Sequence, residues 1–197
     1  MGLFADSFGR NFESIPSLSM LDGEDNIIKE AIKGEASAFG RLYDHYQPQI
    51  YRFILIRVGH REEAEDLTHQ VFLNAWKRVP SYEPRGFPFS SWLYRIARNL
   101  IIDFYRTKKT EISVDEINEE DLGVNNSLGE SADKKIEIEN LLYAIRRLKD
   151  EHQEVIILRF IEDYSIAETA SALNRSQGAI KLLQHRAINN LKKILKQ

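Results

Sequence analysis

Cysteine is absent from this chain of 197 residues. Without cysteine the chain can form no disulfide, no zinc site with thiolate ligands and no thiol redox sensor of its own. Long apolar runs are absent as well, so no segment is expected to cross a bilayer. Residues 1–12 lack the basic stretch followed by an apolar stretch that a signal peptide requires. The sequence therefore predicts a cytoplasmic protein.

The usual signatures of enzymes are missing too. The sequence contains no glycine loop for a phosphate, no nucleophile motif and no paired carboxylates in an apolar setting. His60 and His69 have no third metal ligand at helical spacing, so neither a metal site nor a cofactor is predicted. We expect no catalytic residues and no small-molecule substrate. An enzyme on an all-helical scaffold is the alternative that these absences disfavour.

Charge is distributed unevenly along the chain, although the net charge at pH 7 is only -3. Residues 111–133 contain eight acids and no base. Basic side chains cluster between Lys77 and Arg106, and again between Arg175 and Lys196, where no acid follows Glu168. Two basic surfaces separated by an acidic connector are typical of a protein with two DNA-contacting modules, and solvated helix faces are the alternative.

Hydrophobic periodicity is helical from residue 25 onward, and no stretch alternates as a strand would. Gly34 and Gly59 are placed to end helices and Pro48 to open one. A Pro-rich aromatic loop follows residue 80, and Ser90 is placed to cap the helix after it.

The predicted fold class is all-α, with two small helical domains joined by a flexible acidic linker. Residues 1–24 lack periodicity and predict a mobile N-terminal tail. A helical bundle is predicted at residues 25–106 and a second helical domain at residues 134–197. Residues 107–133, between them, have too few apolar side chains to fold alone.

The second domain carries the pattern of a helix-turn-helix. Ser165 and Glu168 have the S-x-x-E spacing of a capping box at a helix start. Asn174 stands in the turn, where a left-handed conformation is needed that asparagine tolerates. Ser176 is placed to cap the second helix, and Ile180 to fill the angle between the two helices. Such a pair can offer its second helix to the major groove, and two core helices without DNA are the alternative.

Two stretches flank the Pro-rich aromatic loop, EEAEDLTHQVFLNAWKRV before it and FSSWLYRIARNLIIDFYR after it. In that order they resemble the sigma-two domain of extracytoplasmic-function (ECF) sigma factors, a group of the sigma-70 family. The segment DYSIAETASALNRSQGAIKLLQHRAINNLKKIL resembles their sigma-four domain. The resemblance covers the chain from about Asp25 to its C terminus, with nothing that matches a sigma-three domain.

The resemblance implies an alternative sigma factor that catalyses nothing itself. Such a protein binds core RNA polymerase, directs it to specific promoter DNA and helps to melt the minus-ten region. The sigma-two domain, residues 25–106, would dock on polymerase and recognise the minus-ten element, and the sigma-four domain, residues 134–197, would recognise the minus-thirty-five element. The resemblance also implies an anti-sigma factor as a partner, which could hold the cytoplasmic chain at the membrane.

Three contact surfaces follow from the resemblance. Core-polymerase binding is assigned to Glu65, Asp66, His69, Gln70 and Phe72. Minus-ten recognition is assigned to Phe87, Phe89, Trp92, Arg95, Arg98 and Asn99. Minus-thirty-five recognition is assigned to Ser176, Gln177, Lys181, Leu182, His185 and Arg186. Opening DNA requires aromatic and cationic surfaces and a pocket for an unstacked base, which the second set supplies. A place in the core is the alternative for Phe72, Trp76, Phe87 and Trp92.

Two departures from the family pattern bear on these surfaces. His69 and Gln70 stand where a pair of glutamine and an acid is usual. Leu182, Leu183 and Gln184 stand where many relatives have Ser-Arg followed by an apolar residue. Either the apolar position has slipped by one or the helix is slightly rotated, which leaves open which side chains touch bases.

A second function remains open at this stage. The chain would then be a DNA-binding regulator that uses only its C-terminal helix-turn-helix, with an N-terminal sensor domain and no role as a polymerase subunit. That alternative predicts tight duplex binding by the free protein.

Overall fold

The computed structural model describes residues 21–84, 86–111 and 132–196, and within these ranges it contains eight α-helices and no strand. Its contacts separate residues 21–111 and 132–196 into two compact units. The prediction of an all-α chain with two helical domains is confirmed. The tail prediction for residues 1–20 and most of the linker prediction, residues 112–131, lie outside the described residues.

The N-terminal unit is a bundle in which the long second helix packs against the other three. Its helices are α1 (Glu24–Ile32), α2 (Ala36–Val58), α3 (Arg61–Arg78) and α4 (Phe89–Glu111), with a 3-10 turn at Val79–Ser81. The core side chains include Leu42, Ile50, Phe53, Ile54, Val71, Phe72, Leu93, Tyr94 and Ile101. These residues recur at helical spacing, so each helix turns one apolar stripe inward.

Glycine ends two of these helices as predicted. Gly34 follows α1 with φ 93°, and Gly59 caps α2 with φ 82°, both in the left-handed region where a side chain would be strained. The Gly59 N–H donates to the carbonyl of Leu55 at 2.9 Å, which satisfies one orphan acceptor at the end of the helix.

The prediction that Pro48 opens a separate helix was wrong. Helix α2 runs unbroken from residue 36 to residue 58 with Pro48 inside it. Proline removes one backbone hydrogen bond from a helix interior. Pro48 itself is exposed, but its neighbours Tyr46, Gln49 and Ile50 are buried. Burial of this turn against the bundle outweighs the local preference for a break.

The N terminus of α4 is capped by a residue from the other end of the unit. Glu24, the last residue of the predicted tail, is the first residue of α1 and only 4% exposed. Its Oε1 accepts a hydrogen bond of 3.1 Å from the backbone N–H of Phe89, 65 positions later. The prediction that Ser90 caps this helix was wrong, because α4 already begins at Phe89 and Ser90 is buried within its first turn.

The C-terminal unit holds four helices. They are α5 (Ala132–Arg146), α6 (Asp150–Ile156), α7 (Ile166–Leu173) and α8 (Gln177–Ile194), and a π-helical turn at Ile157–Ile161 extends α6. Helix α8 packs against α5, α6 and α7. The core side chains include Ile145, Val155, Ile156, Ile157, Leu158, Leu173, Ile180, Ala187 and Leu191.

Both ends of the predicted linker are helical where the structure describes them. Helix α4 continues to Glu111, and α5 begins at Ala132. Lys108 Nζ lies 2.7 Å from Glu63 Oε1 on α3, and this ion pair ties the last turns of α4 to the bundle. No helix within the described residues is long and apolar enough to cross a membrane.

Candidate nucleic-acid and protein interfaces

Three local features build the helix-turn-helix as the sequence predicts. Ser165 Oγ accepts from the Glu168 N–H at 3.1 Å, while Glu168 Oε2 accepts from the Ser165 N–H at 2.7 Å, which completes the capping box of α7. Asn174 ends α7 in the left-handed conformation, with φ 52° and ψ 51°. Ser176 Oγ accepts from the Ala179 N–H at 3.2 Å and caps α8. Each such cap stabilises a helix by about 1 kcal/mol.

Two side-chain contacts hold the turn against α6 and α8 against the π-helical turn that extends α6. Arg175, in the turn, pairs with Glu151 in the first turn of α6. The Arg159 Nε donates to Gln184 Oε1 on α8 at 2.9 Å. Arg159 therefore holds the half-buried side chain of Gln184 on the inner side of α8. This hydrogen bond and the packing of the α8 core residues together fix the rotation of α8 about its axis.

The exposure of the α8 side chains shows which of its two adjacent leucines belongs to the core. Leu183 is 9% exposed and continues the core stripe, whereas Leu182 is 50% exposed and points outward. Lys181, His185 and Arg186 are exposed as well. The apolar core position therefore lies at Leu183.

One further residue belongs to this outward face, and the sequence analysis did not single it out. Asn189 is exposed, and its Nδ2 lies 3.1 Å from His185 Nε2. Its position four residues after His185 was the available signal, because residues at that spacing share one side of a helix.

Helix α3 turns a mixed polar and apolar face outward. Asp66, His69 and Gln70 are exposed as predicted for the docking surface. Leu73 is 47% exposed and Trp76 is also partly exposed. Leu73 lies four residues after His69 and three before Trp76, and residues at these spacings share one side of a helix. The sequence analysis did not single out Leu73, although this spacing indicates it.

Two residues of the predicted docking surface have contacts within the bundle. Phe72 is 3% exposed, and its ring lies 4.7 Å from that of Tyr43 on α2. The expectation that Phe72 contacts polymerase is contradicted, because its apolar ring completes the core. Glu65 is half-buried and its Oε1 accepts from Arg61 Nε at 2.8 Å, one turn earlier on α3.

Three aromatic rings meet where the Pro-rich loop enters α4. Tyr82, Phe89 and Trp92 have ring centroids 4.9 to 5.2 Å apart. Phe89 is 1% exposed, so its assignment as a DNA contact is contradicted and it forms the floor of the cluster. Trp92 is half-buried at the edge of this aromatic cluster, and Phe87 in the loop is exposed.

The cationic and amide residues of α4 lie beyond this cluster. Asn99 is exposed, and Arg95 and Arg98 are half-buried. Trp92, Arg95 and Asn99 follow at intervals of three and four residues, so they share one side of the helix. Arg106 continues that side toward the C terminus of α4, where it pairs with Asp103 at 3.1 Å.

Two family models match the chain, "Sigma-70 region 2" over residues 42–111 and "Sigma-70, region 4" over residues 144–193. A helical bundle and a helix-turn-helix unit with these matches define a sigma-70-type sigma factor. The ECF RNA polymerase sigma factor SigW of Bacillus subtilis is 33% identical over 178 residues, 86% of this chain and 95% of SigW. The chain belongs to the ECF RNA polymerase sigma factors.

Two other comparisons agree with this family. The ECF RNA polymerase sigma factor BldN of Streptomyces coelicolor is 40% identical over 174 residues, which are 86% of this chain and 64% of BldN. The chain thus spans less than two thirds of the length of that relative. A solved structure of the sigma factor RpoE with the anti-sigma factor NepR, from Bartonella quintana, superposes with a TM-score of 0.68 at 25% identity, covering 80% of this chain and 96% of that one.

Proposed function

We propose that the chain is an alternative sigma factor that brings core RNA polymerase to specific promoters and helps to open them. The observation that carries the proposal is the character of the α3 face. It combines the exposed carboxylate of Asp66 with the exposed apolar side chains of Leu73 and Trp76. Such a face repels phosphate and suits a protein partner, so the chain offers a protein-binding surface in addition to its helix-turn-helix.

Core polymerase docks on the α3 face, with Asp66, His69 and Gln70 as polar contacts and Leu73 as an apolar anchor. An exposed leucine that becomes buried in an interface contributes through the hydrophobic effect, while the polar residues around it set the specificity. Glu65 stands at the edge of this face, where its bond to Arg61 orients its carboxylate. Phe72 supports α3 from the inside.

The loop before α4 and the outward side of α4 recognise the minus-ten element. Phe87 and Trp92 offer aromatic surface on which an unstacked base can lie, and base stacking of this kind contributes about 1–3 kcal/mol per base. Arg95 and Arg98 bind backbone phosphates, and Asn99 reads a base edge. Phe89 does not touch DNA but holds the ring of Trp92 in place.

Helix α8 recognises the minus-thirty-five element in the major groove. Ser176 and Gln177 lie at its N terminus, where residues of a recognition helix reach DNA first. Lys181 and Arg186 flank the outward face, with His185 between them. No acid lies in the chain after Glu168, so this unit presents positive charge to the phosphates without a competing carboxylate on α8.

The partners of the chain follow from this role. It works in the cytoplasm with core RNA polymerase and promoter DNA, and polymerase supplies all of the chemistry, so the chain itself needs no catalytic residue or cofactor. The Bartonella quintana sigma factor is seen in complex with an anti-sigma factor, which supports an anti-sigma factor as a partner of this chain as well.

Association with core polymerase tests the proposal most simply. Asp66→Arg reverses the charge at the centre of the docking face without touching the core, so we expect unchanged helical content and weaker binding. Interfacial charge changes of this kind cost about 2–5 kcal/mol, which is roughly a thirtyfold loss of affinity or more. Asp44→Arg, at an exposed aspartate on α2, is the matched control and keeps wild-type affinity. Equal affinity of both variants would show that polymerase does not bind this face.

A further inference from the structure

Leu182 is a large apolar side chain in the middle of the face proposed to read DNA. It is 50% exposed, on a helix whose other outward side chains are cationic or polar. At roughly 100° per residue, it lies between Lys181 and Arg186 around the helix, about 100° from the first and about 40° from the second. When α8 enters a groove with Lys181 toward a base and Arg186 toward the flanking phosphate, Leu182 faces the base edges between them.

Gly178 lies one turn before Leu182 on the same side of α8. Its φ is not in the left-handed region, and a Cβ built on it would meet nothing within 4 Å in the described part of the chain. Glycine weakens a helix relative to alanine, and neither backbone strain nor close packing explains why glycine stands at this position. The bare backbone and the leucine beside it instead leave room for an outside surface to come close.

The chemistry of the major groove selects the group that Leu182 can contact favourably. Each base edge presents hydrogen-bond donors and acceptors there, and the only apolar group is the 5-methyl of thymine. Leucine forms no hydrogen bond, so placing it against a purine edge or a cytosine amino group would remove water from a polar atom without replacing the bond.

We propose that Leu182, with the open backbone at Gly178, reads the 5-methyl group of one thymine in the minus-thirty-five element. The inference rests on the proposed function, because it requires α8 to lie in the major groove. Burying one methyl group is worth about fourfold in affinity, or ~0.8 kcal/mol at about 1.4 kcal/mol per factor of ten.

The test replaces thymine by uracil, which removes only the methyl group. Holoenzyme is assembled from core polymerase and the full chain, and its affinity is measured for a promoter fragment that it transcribes. Each thymine of the minus-thirty-five element, on either strand, is changed singly to deoxyuridine. We expect one position at which wild-type holoenzyme loses about fourfold in affinity and at which Leu182→Ala holoenzyme loses nothing.

Two further variants sharpen the comparison. Leu195→Ala is the same substitution at an exposed leucine just beyond the end of α8, and it keeps both the wild-type affinity and the wild-type response to uracil. Gly178→Ala adds one methyl group to the open backbone. We expect it to weaken binding to the thymine promoter while the helical content stays at or above that of the wild type.

Three results would overturn the inference about Leu182: an element without thymine, no position that responds to uracil, or the same response in wild type and Leu182→Ala. None of them contradicts the proposed function if Lys181→Ala and Arg186→Ala still weaken promoter binding. If those two substitutions also leave affinity unchanged, α8 does not enter the groove and the proposed role of this unit fails.

Discussion

Glu24→Ala removes the acceptor that satisfies the first N–H of α4. Glu24 Oε1 lies 3.1 Å from the Phe89 nitrogen, and both residues are buried. Leaving a buried donor without a partner costs about 1–3 kcal/mol, and a carboxylate at a helix N terminus contributes about 0.3–1 kcal/mol more. Glu24 Oε2 is buried without a hydrogen-bond partner among the described residues, and removing it offsets part of that loss. We expect the N-terminal unit to lose about 2 kcal/mol of unfolding free energy.

Tryptophan fluorescence during urea unfolding measures this loss in the right unit. The chain has two tryptophans, Trp76 and Trp92, and both lie in the N-terminal unit. Asp25→Ala, at the exposed neighbouring acid, is the control and should stay within about 0.5 kcal/mol of wild type, as surface substitutions do. Glu24→Gln keeps an acceptor and should fall between the two. A loss for Glu24→Ala no larger than that of the control would refute the long-range cap.

Three more outcomes follow from the site and the core. Lys181→Ala should relax the base preference at one minus-thirty-five position and leave the salt dependence of binding nearly unchanged. Arg186→Ala should weaken binding to all sequences and lower the salt slope by about one unit. Holoenzyme binding measured across a salt series distinguishes the two. Asn99→Ala should lose about 1–3 kcal/mol of discrimination at the minus-ten element, while Arg95→Ala weakens all promoters alike in permanganate footprints; identical behaviour would contradict these roles. Burial lowers the pKa of His152 below its usual 6.5. Because the unfolded chain then binds this proton more readily than the folded chain, the free energy of unfolding should fall as pH drops through and below about 6.5. Thermal unfolding at pH 7.5 and 5.5 should show a smaller loss of stability between the two pH values for His152→Gln than for the wild type. An equal loss in both would contradict this role of His152.

Features that depend on neighbouring residues were predictable from the sequence. The capping box of Ser165 and Glu168, the left-handed Asn174 and the helix end at Gly59 each require only a few adjacent positions, because their hydrogen bonds close within one turn. The exposed position of Asp66 follows from helical periodicity in the same way.

Features that depend on distant parts of the chain were not predictable. Pro48 was expected to start a helix because proline's local preference is visible, whereas the burial that overrides it comes from other helices. Phe72 and Phe89 were assigned to contacts through the family resemblance, and their residue type could not correct this, because an aromatic ring suits an interface and a core equally well. Glu24 caps a helix that starts 65 residues later, and no spacing rule connects the two.

Run-off transcription with purified core polymerase and genomic fragments tests the central claim most directly. The account predicts discrete transcripts that require the chain and core polymerase together and that Asp66→Arg strongly reduces. Sequence-specific duplex binding by the free chain, without any promoter-specific transcript when core polymerase is added, would contradict it and would favour a regulator that acts through α8 alone.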